Sequence, residues 1–326
     1  MPRTENPTDL TREQLVEAFR KMSQIRRAEE VVGRAYQMQK FSGFCHLYIG
    51  QEAVAAGLEL ALRPDDYVIG SYRSHGQAMA RGVGVDPMMA EMLAKKTGST
   101  GGRGGSMHVF DVDKGFYGGW GIVGAQIPLA TGLGWGAKYH AKGQIAVCFF
   151  GEGAIHQGVF HEGLNHASIW DLPCVFIAEN NKYAMGTEMS RINRQTDIQL
   201  KAVSYAMDHA SINGQDIFDM YTGIKEAVDR ARDQSRPTFV EVRTYRYRGH
   251  SMSDAAKYRT KAELAEEQQR DPIANLRADL LAMEMATDEE LTAIDKEARQ
   301  QAKDALTAAE AADFPADSTL FDYVLA

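Results

Sequence analysis

The spacing of apolar positions predicts an amphipathic helix near the start of the chain. Leu15, Phe19 and Met22 recur at intervals of three and four residues within residues 11–40, which places them on one helix face. Thr11-Arg12-Glu13-Gln14 has the form of a capping box that would begin this helix. The same periodicity predicts further helices over residues 51–62, 159–169 and 217–231.

Four short apolar runs, rich in β-branched and aromatic residues, alternate with these helices. They cover residues 67–69, 145–150, 174–178 and 239–244. Strands that are apolar throughout are buried on both faces, which is typical of parallel sheets covered by helices. The alternation therefore predicts an α/β fold with a mainly parallel sheet and helices on both of its faces.

Both ends of the chain are predicted to be helical parts of the same domain. The first helix forms an N-terminal arm over residues 1–40, and the charged segment 262–326 forms a C-terminal extension in which Thr287 can cap a last helix. No internal repeat and no long linker divide the sequence. We therefore expect residues 1–326 to form a single domain.

Glycine is concentrated between residues 98 and 136. The uncharged stretch 115–137 is long enough for a membrane span, but it contains eight glycines and Pro128 and has no sustained leucine, isoleucine or valine run. We predict instead a glycine-lined loop that lets the backbone approach a ligand, followed by a closely packed helix. The preceding segment 98–106 resembles a phosphate-binding loop, but it lacks the lysine of a Walker sequence and follows no predicted strand.

Composition and charge narrow the classes of function. The chain has 36 Lys and Arg against 44 Asp and Glu, a formal charge of −8, which argues against binding to nucleic-acid phosphates and against a polybasic membrane anchor. Cys45, Cys148 and Cys174 form no metal-type spacing, and the last two lie in apolar runs where they are expected to be core residues. The first thirty residues are charged and have no apolar signal core. We expect a cytoplasmic protein with no nucleic-acid or membrane partner.

Charged and polar residues follow each of the four predicted strands. Arg73 and His75 come after the first strand, Glu152 after the second, Asn181 after the third and His250 after the fourth. The carboxyl ends of parallel strands meet at one edge of a sheet, which is where ligands bind in such folds. Arginine suits phosphate oxygens, and carboxylate and carbonyl oxygens suit a hard divalent cation. The sequence therefore predicts a site for a phosphorylated ligand with a metal ion.

Residues 151–181 resemble the thiamine diphosphate motif. Gly151-Glu152-Gly153 is followed after 26 residues by Asn180-Asn181, an arrangement written GDG…NN in that family. Further motifs over about residues 40–260 are similar to those of the alpha subunits of the first component of 2-oxo acid dehydrogenase complexes, in particular the pyruvate branch. These motifs are Gly43-Phe44-Cys45-His46-Leu47-Tyr48, Gly50-Gln51-Glu52-Ala53, Gly104-Gly105-Ser106-Met107-His108, Gly121-Ile122-Val123-Gly124-Ala125-Gln126 and Gly249-His250-Ser251-Met252-Ser253-Asp254. The resemblance implies a thiamine diphosphate-binding fold.

The resemblance also implies which residues bind the cofactor. Tyr72, Arg73 and His250 would contact the diphosphate, where arginine supplies charge-assisted hydrogen bonds. The backbone of Gly121 and Val123 would contact the aminopyrimidine half of the cofactor. Gly153 and Ala154 would leave space beside the phosphates. The metal ligands would be Glu152, Asn181 and the Tyr183 carbonyl, with diphosphate oxygens and a water completing an octahedron around Mg²⁺.

Three histidines and two further residues are implied in catalysis and substrate binding. His46 and His75 would line the substrate side, and His250 would order the active-site loop besides contacting the diphosphate. Phe44 and Gln157 are candidates for the pocket that holds a small 2-oxo acid. Histidine suits such roles because its pKa lies near neutrality.

Glu152 departs from the family pattern, which usually has aspartate at this position. Mg²⁺ requires near-octahedral geometry with oxygens at about 2.0–2.1 Å, so an added methylene must be absorbed by the side-chain rotamer or the loop. We expect Glu152 to ligate the metal with such an adjustment; a weak or water-bridged site is the rival. A dinucleotide fold fits residues 151–156 poorly, because the third glycine of GxGxxG is missing.

The chemistry implied by the resemblance is the oxidative decarboxylation of pyruvate with reductive acetylation of a lipoyl group, leading to acetyl-CoA. Thiamine enzymes need a second half-site whose glutamate contacts the aminopyrimidine, and the motifs here belong to the diphosphate half only. We therefore expect a beta subunit, in an assembly of two alpha and two beta chains, and a lipoyl-bearing dihydrolipoyl acetyltransferase as partners. Residues 119–136 and the helix carrying Glu162 and Asn165 are candidates for the contact with the beta chain. An acetoin or branched-chain 2-oxo acid dehydrogenase, or a non-catalytic partner-binding subunit, remains the alternative.

Overall fold

A six-stranded parallel sheet forms the centre of the molecule, in a computed structural model that describes residues 2–324. Its strands are β1 (Tyr67–Ser71), β2 (Phe116–Trp120), β3 (Ala146–Gly151), β4 (Cys174–Asn180), β7 (Asp208–Asn213) and β8 (Thr238–Arg243). They lie in the order β2-β1-β3-β4-β8-β7, and every neighbouring pair is parallel. The two remaining strands, β5 (Tyr183–Ala184) and β6 (Thr187–Glu188), form a small antiparallel pair beside the sheet. The predicted α/β fold with a parallel sheet is confirmed.

Helices cover both faces of the sheet. They are α1 (Arg12–Gln37), α2 (Glu52–Ala61), α3 (His75–Ala80), α4 (Val85–Met92), α5 (Gln126–His140), α6 (Gly158–Ile169), α7 (Ile217–Gln234), α8 (Lys261–Gln268), α9 (Pro272–Ala282) and α10 (Asp288–Ala311). The predicted capping box at Thr11 begins α1, and the Thr287 side chain caps α10 by accepting the N–H of Glu290. Helix α1 packs along α10, so the N-terminal arm and the C-terminal extension lie against each other.

Alternate residues of the central strands point into two different cores. Val147 and Phe149 of β3 pack in a cluster with side chains of α1, α2 and α7. Cys148 and Phe150 of the same strand pack on the opposite face with side chains of α5 and α6. This burial on both faces is why the strand sequences are apolar without alternation. Cys148 and Cys174 are buried with free thiols, as predicted for core residues, and the thiol of Cys45 is buried and free as well.

Two strands of the sheet carry no apolar run that could predict them. β2 contains Gly118 and Gly119 and lies in the stretch predicted to be a loop, whereas the helix predicted to follow that loop is α5. β7 lies at the edge of the sheet and is largely polar and half-exposed, so its sequence resembles a surface segment. None of the helices in residues 2–324 combines the length and the apolar character that crossing a membrane requires.

Candidate cofactor-binding site

A cavity lies at the carboxyl ends of β1, β3 and β4, where the sequence places its polar residues. The chain turns away from the sheet at Ser71, Gly151 and Asn180, and the segments that follow these positions form the cavity wall. Nine of the residues predicted to bind cofactor line it: Tyr72, Arg73, Val123, Glu152, Gly153, Ala154, Asn181, Tyr183 and His250. This edge is the usual ligand position in a parallel sheet.

Arg73 is a buried cation without an acidic partner among the described residues. Its guanidinium donates to the carbonyl oxygens of Leu47 (2.6 Å) and His250 (2.7 Å), and only 5% of the residue is exposed. Burial lowers the pKa of Arg73, and the positive charge of Arg246 adds to the effect. A buried guanidinium that is bonded only to carbonyls favours an anionic ligand, because such a ligand would supply the missing negative charge.

The histidines beside Arg73 are neutral at physiological pH. The ring of His46 lies 4.4 Å from that of Tyr72 and 5.0 Å from that of His250, measured between ring centres. Burial and the charge of Arg73 lower the pKa of His46 to about 2 and that of His250 to about 4. Each ring therefore keeps one N–H donor and one acceptor. The Nδ1 atom of His46 is buried without a partner in the described part of the chain.

Three oxygen-bearing groups converge on one side of the cavity. The Asn181 Oδ1 and the Tyr183 carbonyl both accept from one nitrogen of Arg246, the first at 2.6 Å. Glu152 is 2% exposed; its Oε2 accepts the N–H of Asn181 at 3.5 Å, and its Oε1 has no partner within residues 2–324. Burial raises the pKa of Glu152. Lys182 adopts φ +73°, a rare conformation for a side chain-bearing residue, and this turn brings the Asn181 side chain and the Tyr183 carbonyl to the same place.

Gly153 is required by the close approach of the β5–β6 hairpin. A Cβ atom at this position would lie 2.8 Å from the Cβ of Ala184, which is nearer than such atoms approach in proteins. Ala154, the next residue, is buried, so this wall of the cavity is built from small side chains. Gly153 is therefore explained by the packing of the hairpin, and the small side chain of Ala154 keeps this wall of the cavity open.

The glycine-rich loop over residues 98–106 binds a carboxylate of its own chain. Glu91 is fully buried on α4 and accepts the backbone N–H groups of Thr100 (2.8 Å), Gly102 (3.0 Å), Gly104 (2.7 Å) and Gly105 (3.1 Å). These are the amides that a phosphate loop would present to its ligand. The loop therefore has its anion already, which agrees with the absence of a Walker sequence.

Comparison with known proteins identifies the family. A model of the family described as dehydrogenase E1 component matches residues 20–317. The chain belongs to the dehydrogenase E1 component family. Members of this family depend on thiamine diphosphate, and the resemblance stated from the sequence motifs is confirmed.

Curated relatives of this E1 chain extend over nearly its whole length. The pyruvate dehydrogenase E1 component subunit alpha of Rickettsia typhi is 42% identical over 310 residues, or 95% of either chain. The protein of the same name from Rhizobium meliloti is 43% identical over 97% of this chain and 91% of its own. A mitochondrial protein of that name from Dictyostelium discoideum is 41% identical over 98% of this chain and 85% of its own.

Two residues of the E1 chain that were predicted to belong to the site, His75 and Gly121, do not line the cavity. His75 is fully buried in α3, where it bonds to Glu29 (2.7 Å) and to the Ser106 carbonyl (2.9 Å), and it does not line the cavity. Burial opposes the protonation of His75, but Glu29 outweighs burial and raises the pKa of the ring. Gly121 lies beside His108, two residues before Val123 of the cavity wall.

The two candidates for the substrate pocket are exposed. Phe44 is 67% exposed, and Gln157 is an exposed residue at the start of α6. The Cβ of Gln157 would lie 3.4 Å from a Cβ built on Gly124, so Gln157 stands next to the loop that reaches the cavity. Both roles remain predictions.

Glu179 and Arg246 line the cavity of the E1 chain but were not selected from the sequence. Glu179 accepts hydrogen bonds from the Tyr48 hydroxyl and from Gln77 (3.2 Å), and burial raises its pKa to about 7. Arg246 is 2% exposed and also donates to the Met185 carbonyl. A charge in the otherwise apolar β4, and an arginine flanked by two aromatic residues after β8, are the sequence signals that could have identified them.

The donor atoms present fit a hard cation beside a diphosphate. Residues 2–324 contain no group of three acidic, histidine or cysteine side chains arranged for a metal, so a metal here would rest on one carboxylate, one amide and one backbone carbonyl. Those are oxygen ligands of the kind that Mg²⁺ prefers, and diphosphate oxygens usually complete such a set. Two of the oxygens already surround a cationic guanidinium, and the third is a buried carboxylate oxygen without a partner.

Proposed function

We propose that this chain is the alpha subunit of a pyruvate dehydrogenase (acetyl-transferring). It would catalyse, with thiamine diphosphate, the oxidative decarboxylation of pyruvate and the reductive acetylation of a lipoyl group, leading to acetyl-CoA. The observation that carries the proposal is one cavity with an anion-binding end at Arg73 and a cation-binding end at Glu152, Asn181 and Tyr183. The relatives named above, at 41–43% identity over almost the whole chain, support the choice of pyruvate.

Arg73, Tyr72 and His250 would hold the diphosphate. Arg73 is fixed at Leu47 and His250 by two hydrogen bonds, so its remaining N–H groups are oriented before a ligand arrives. The neutral ring of His250 can donate one N–H without adding charge. Tyr72 packs on the rings of both histidines and lines the cavity.

Glu152, Asn181 and the Tyr183 carbonyl would hold Mg²⁺ against the diphosphate. The metal would compensate the buried carboxylate of Glu152, whose raised pKa reflects its loss of hydration. Glu152 lines the cavity and its Oε1 has no partner among the described residues, which supports direct ligation despite the extra methylene.

The cofactor, when bound, would supply the carbon nucleophile and the electron sink for decarboxylation. The chain's own contribution would be to hold the diphosphate, to exclude water and to keep His46 neutral. The unpartnered Nδ1 of His46 would offer a hydrogen-bonding atom on the substrate side, beside Tyr72 and His250. His75 would influence the substrate side indirectly, through its bond to Ser106. Phe44 and Gln157 would border the substrate pocket.

The active site would be completed by a beta subunit, in an assembly of two alpha and two beta chains. Of the carboxylates that line the cavity, Glu152 would hold the metal and Glu179 is bonded to Tyr48 and Gln77, so the glutamate for the aminopyrimidine would come from the partner. Exposed apolar residues on and around α5 and α6 support such a contact. They are Ile122, Leu129, Trp135, Tyr139, Ile169 and Trp170, with exposures between 39% and 80%.

The further partners would be pyruvate and a lipoyl-bearing dihydrolipoyl acetyltransferase. We also propose that residues 1–326 form one cytoplasmic domain without a nucleic-acid or membrane partner, since the helices of both termini pack on each other and the net charge is −8.

The substrate is tested by comparing kcat/KM for pyruvate, acetoin and 3-methyl-2-oxobutanoate in the complex with the beta chain. We expect pyruvate to be preferred at least 10-fold over 3-methyl-2-oxobutanoate, because its two extra methyl groups are worth about 10- to 200-fold each in a fitted pocket. Pyruvate should also be preferred over acetoin, because acetoin has no carboxylate. Preference for acetoin or for the branched acid would contradict the assignment. A complex that binds thiamine diphosphate but turns over none of the three would favour a non-catalytic subunit.

A further inference from the structure

Asn181 can serve as a metal ligand in only one of its two amide orientations. Its Oδ1 attracts a cation, whereas its NH₂ group carries two donors and repels one. The two orientations have the same shape, so packing alone does not select between them. A metal site that uses this side chain therefore needs neighbours that distinguish its oxygen from its nitrogen.

The structure surrounds the Asn181 amide with one acceptor and one donor. Its Nδ2 donates to the Oε1 of Gln51 at 3.2 Å, and its Oδ1 accepts from Arg246 at 2.6 Å. Rotating the amide by half a turn would turn its NH₂ group towards the Arg246 guanidinium and its oxygen towards the Oε1 of Gln51, so donor would face donor and acceptor would face acceptor. Both contacts are buried, since Gln51 is 0% and Asn181 is 6% exposed.

We infer that Gln51 is a positioning residue that holds the Asn181 oxygen towards the metal. The inference rests on the proposed function, because it concerns the ligand set of the proposed Mg²⁺ site. Gln51 does not line the cavity, and the one hydrogen bond of its side chain within residues 2–324 is the bond to the Asn181 amide.

The backbone that carries Gln51 is firmly held. Gln51 precedes α2 and donates its own N–H to the Tyr48 carbonyl at 3.1 Å. The next residue, Glu52, is fully buried, accepts the N–H of Gly50 and pairs with Arg26 at 2.5 Å. The side chain of Gln51 therefore starts from a fixed point and reaches Asn181 across the edge of the sheet.

The NH₂ group of Gln51 also indicates that this residue has a role other than packing. Its Nε2 is buried without a partner in the described part of the chain, which costs free energy in a protein interior. A residue selected for packing would be apolar here. The presence of an amide at this buried position is explained by its Oε1, which accepts the hydrogen bond from Asn181.

The test compares Gln51→Met with Gln51→Glu in the complex with the beta chain. Methionine keeps the length of the side chain but removes the acceptor, whereas a carboxylate retains the acceptor. Thiamine diphosphate binding is followed by isothermal calorimetry at increasing Mg²⁺, and the Mg²⁺ concentration for half-maximal binding is the readout. A Gln215→Met variant is the matched control, because Gln215 is also buried with an unpartnered amide.

We expect Gln51→Met to raise the half-maximal Mg²⁺ concentration about 10- to 100-fold, the usual cost of removing a neighbour of a metal ligand. Gln51→Glu should remain within about 3-fold of the parent, and Gln215→Met should match the parent. Binding measured in EDTA should not differ between Gln51→Met and the parent, since the acceptor acts only through the metal ligand.

The Asn181→Asp variant provides a second experiment, because its side chain has no amide whose orientation must be fixed. The two oxygens of aspartate are equivalent, so in this background Gln51→Met should shift the half-maximal Mg²⁺ concentration less than 2-fold. The inference is overturned if Gln51→Met leaves the Mg²⁺ dependence unchanged, or if Met and Glu shift it equally. A parent complex that binds thiamine diphosphate without any Mg²⁺ dependence contradicts the proposed metal site itself, and with it the role of Gln51.

Discussion

Burial affects the charge of Arg73 and the charges of the two neighbouring histidines differently; of these three residues, Arg73 and His250 line the cavity and His46 lies behind them. Arg73 keeps its positive charge with carbonyl partners only, whereas the rings of His46 and His250 are held neutral by burial and by the charge of Arg73. Arg73 is therefore a fixed cation flanked by two neutral rings. Such an arrangement suits a highly charged diphosphate, because Arg73 has no carboxylate bonded to it among the described residues.

Replacing Arg73 by methionine should weaken thiamine diphosphate binding about 10- to 100-fold. Hydrogen bonds to charged groups are worth roughly 1.5–3 kcal/mol, and each 1.4 kcal/mol is a factor of ten. The measurement is a calorimetric titration of the complex with the beta chain at saturating Mg²⁺. Arg299→Met is the control, since Arg299 is half-exposed on α10, and it should bind like the parent. Equal affinities of the two variants for thiamine diphosphate would show that Arg73 does not bind the cofactor.

His46 should make the fold sensitive to acid. Its pKa falls from 6.5 to about 2 on folding, so below pH 6.5 the unfolded chain binds a proton that the folded chain does not. Stability from this residue is therefore lost as the pH falls from 6.5, by at most about 1.4 kcal/mol per pH unit. In denaturant titrations at pH 5 and pH 7, His46→Asn should reduce the difference between the two midpoints. His209→Asn, at an exposed histidine, should leave that difference as in the parent, and identical behaviour of the two variants would contradict the prediction.

Helix α5 shows how glycines of one helix serve two different surfaces. A Cβ on Gly134 would lie 2.2 Å from the sulfur of Cys174, so this glycine lets α5 approach β4. Gly132 and Gly136 of the same helix have nothing within 4 Å of such an atom. The glycine-rich sequence therefore packs inwards at one position and leaves a flat outer surface at two others, next to the exposed Trp135.

Gly134→Ala should destabilise the chain by about 1–3 kcal/mol, the usual cost of overpacking. Gly132→Ala should be neutral or stabilise it by up to about 1 kcal/mol, because alanine is the better helix former. Denaturant unfolding of both variants measures the difference. Cys174→Ala should restore part of the loss in Gly134→Ala by removing the sulfur. Equal stabilities of the two alanine variants would show that α5 does not pack on β4 as described.

The sequence predicts elements and residues whose signal is local. The four apolar strands and the helices α1, α2, α6 and α7 were predicted within a few residues, because burial on one or two faces determines their patterns. β2 and β7 were not, since a strand of glycines and a polar edge strand are stabilised by their neighbours rather than by their own composition.

Some of the cavity residues could also be predicted from the local sequence. Arg73, Glu152 and Asn181 directly follow strands, and the carboxyl ends of parallel strands must meet at one edge. The buried position of His75 depends on Glu29 and Ser106, which come from distant parts of the chain. The occupation of the glycine-rich loop by Glu91 is likewise a tertiary contact that no spacing in the sequence announces.

As a whole, the molecule combines a net negative charge, a cavity with buried charged side chains and an exposed apolar face over α5 and α6. The net charge of −8 is not reflected in the cavity, where two buried arginines lie. The apolar face over α5 and α6 carries two tryptophans whose ring centres are 4.9 Å apart, with exposures of 51% for Trp135 and 42% for Trp170. Exposed aromatic clusters of this kind mark protein interfaces.

A charge on this face should prevent assembly with the beta chain while leaving the fold intact. Trp135→Asp removes an exposed anchor and adds a charge that would be buried in the interface, so its association constant should fall at least 10-fold. Its free energy of unfolding should change by less than about 1 kcal/mol, because the residue is half-exposed. Co-purification and sedimentation measure association. Leu320→Asp, at a 71% exposed position outside this face, should assemble normally. If Trp135→Asp assembles normally, the beta chain does not bind to the apolar face over α5 and α6.

The central claim is that the cavity at the carboxyl ends of β1, β3 and β4 binds a diphosphate through Arg73 and a divalent cation. The direct measurement is the affinity of the complex with the beta chain for thiamine diphosphate, in Mg²⁺ and in EDTA. We predict saturable binding with one cofactor per alpha chain in Mg²⁺, and at least 10-fold weaker binding in EDTA, since the oxygens at Glu152 and Asn181 would then repel the diphosphate. Equal affinity in the two conditions, or no binding in either, would contradict the account.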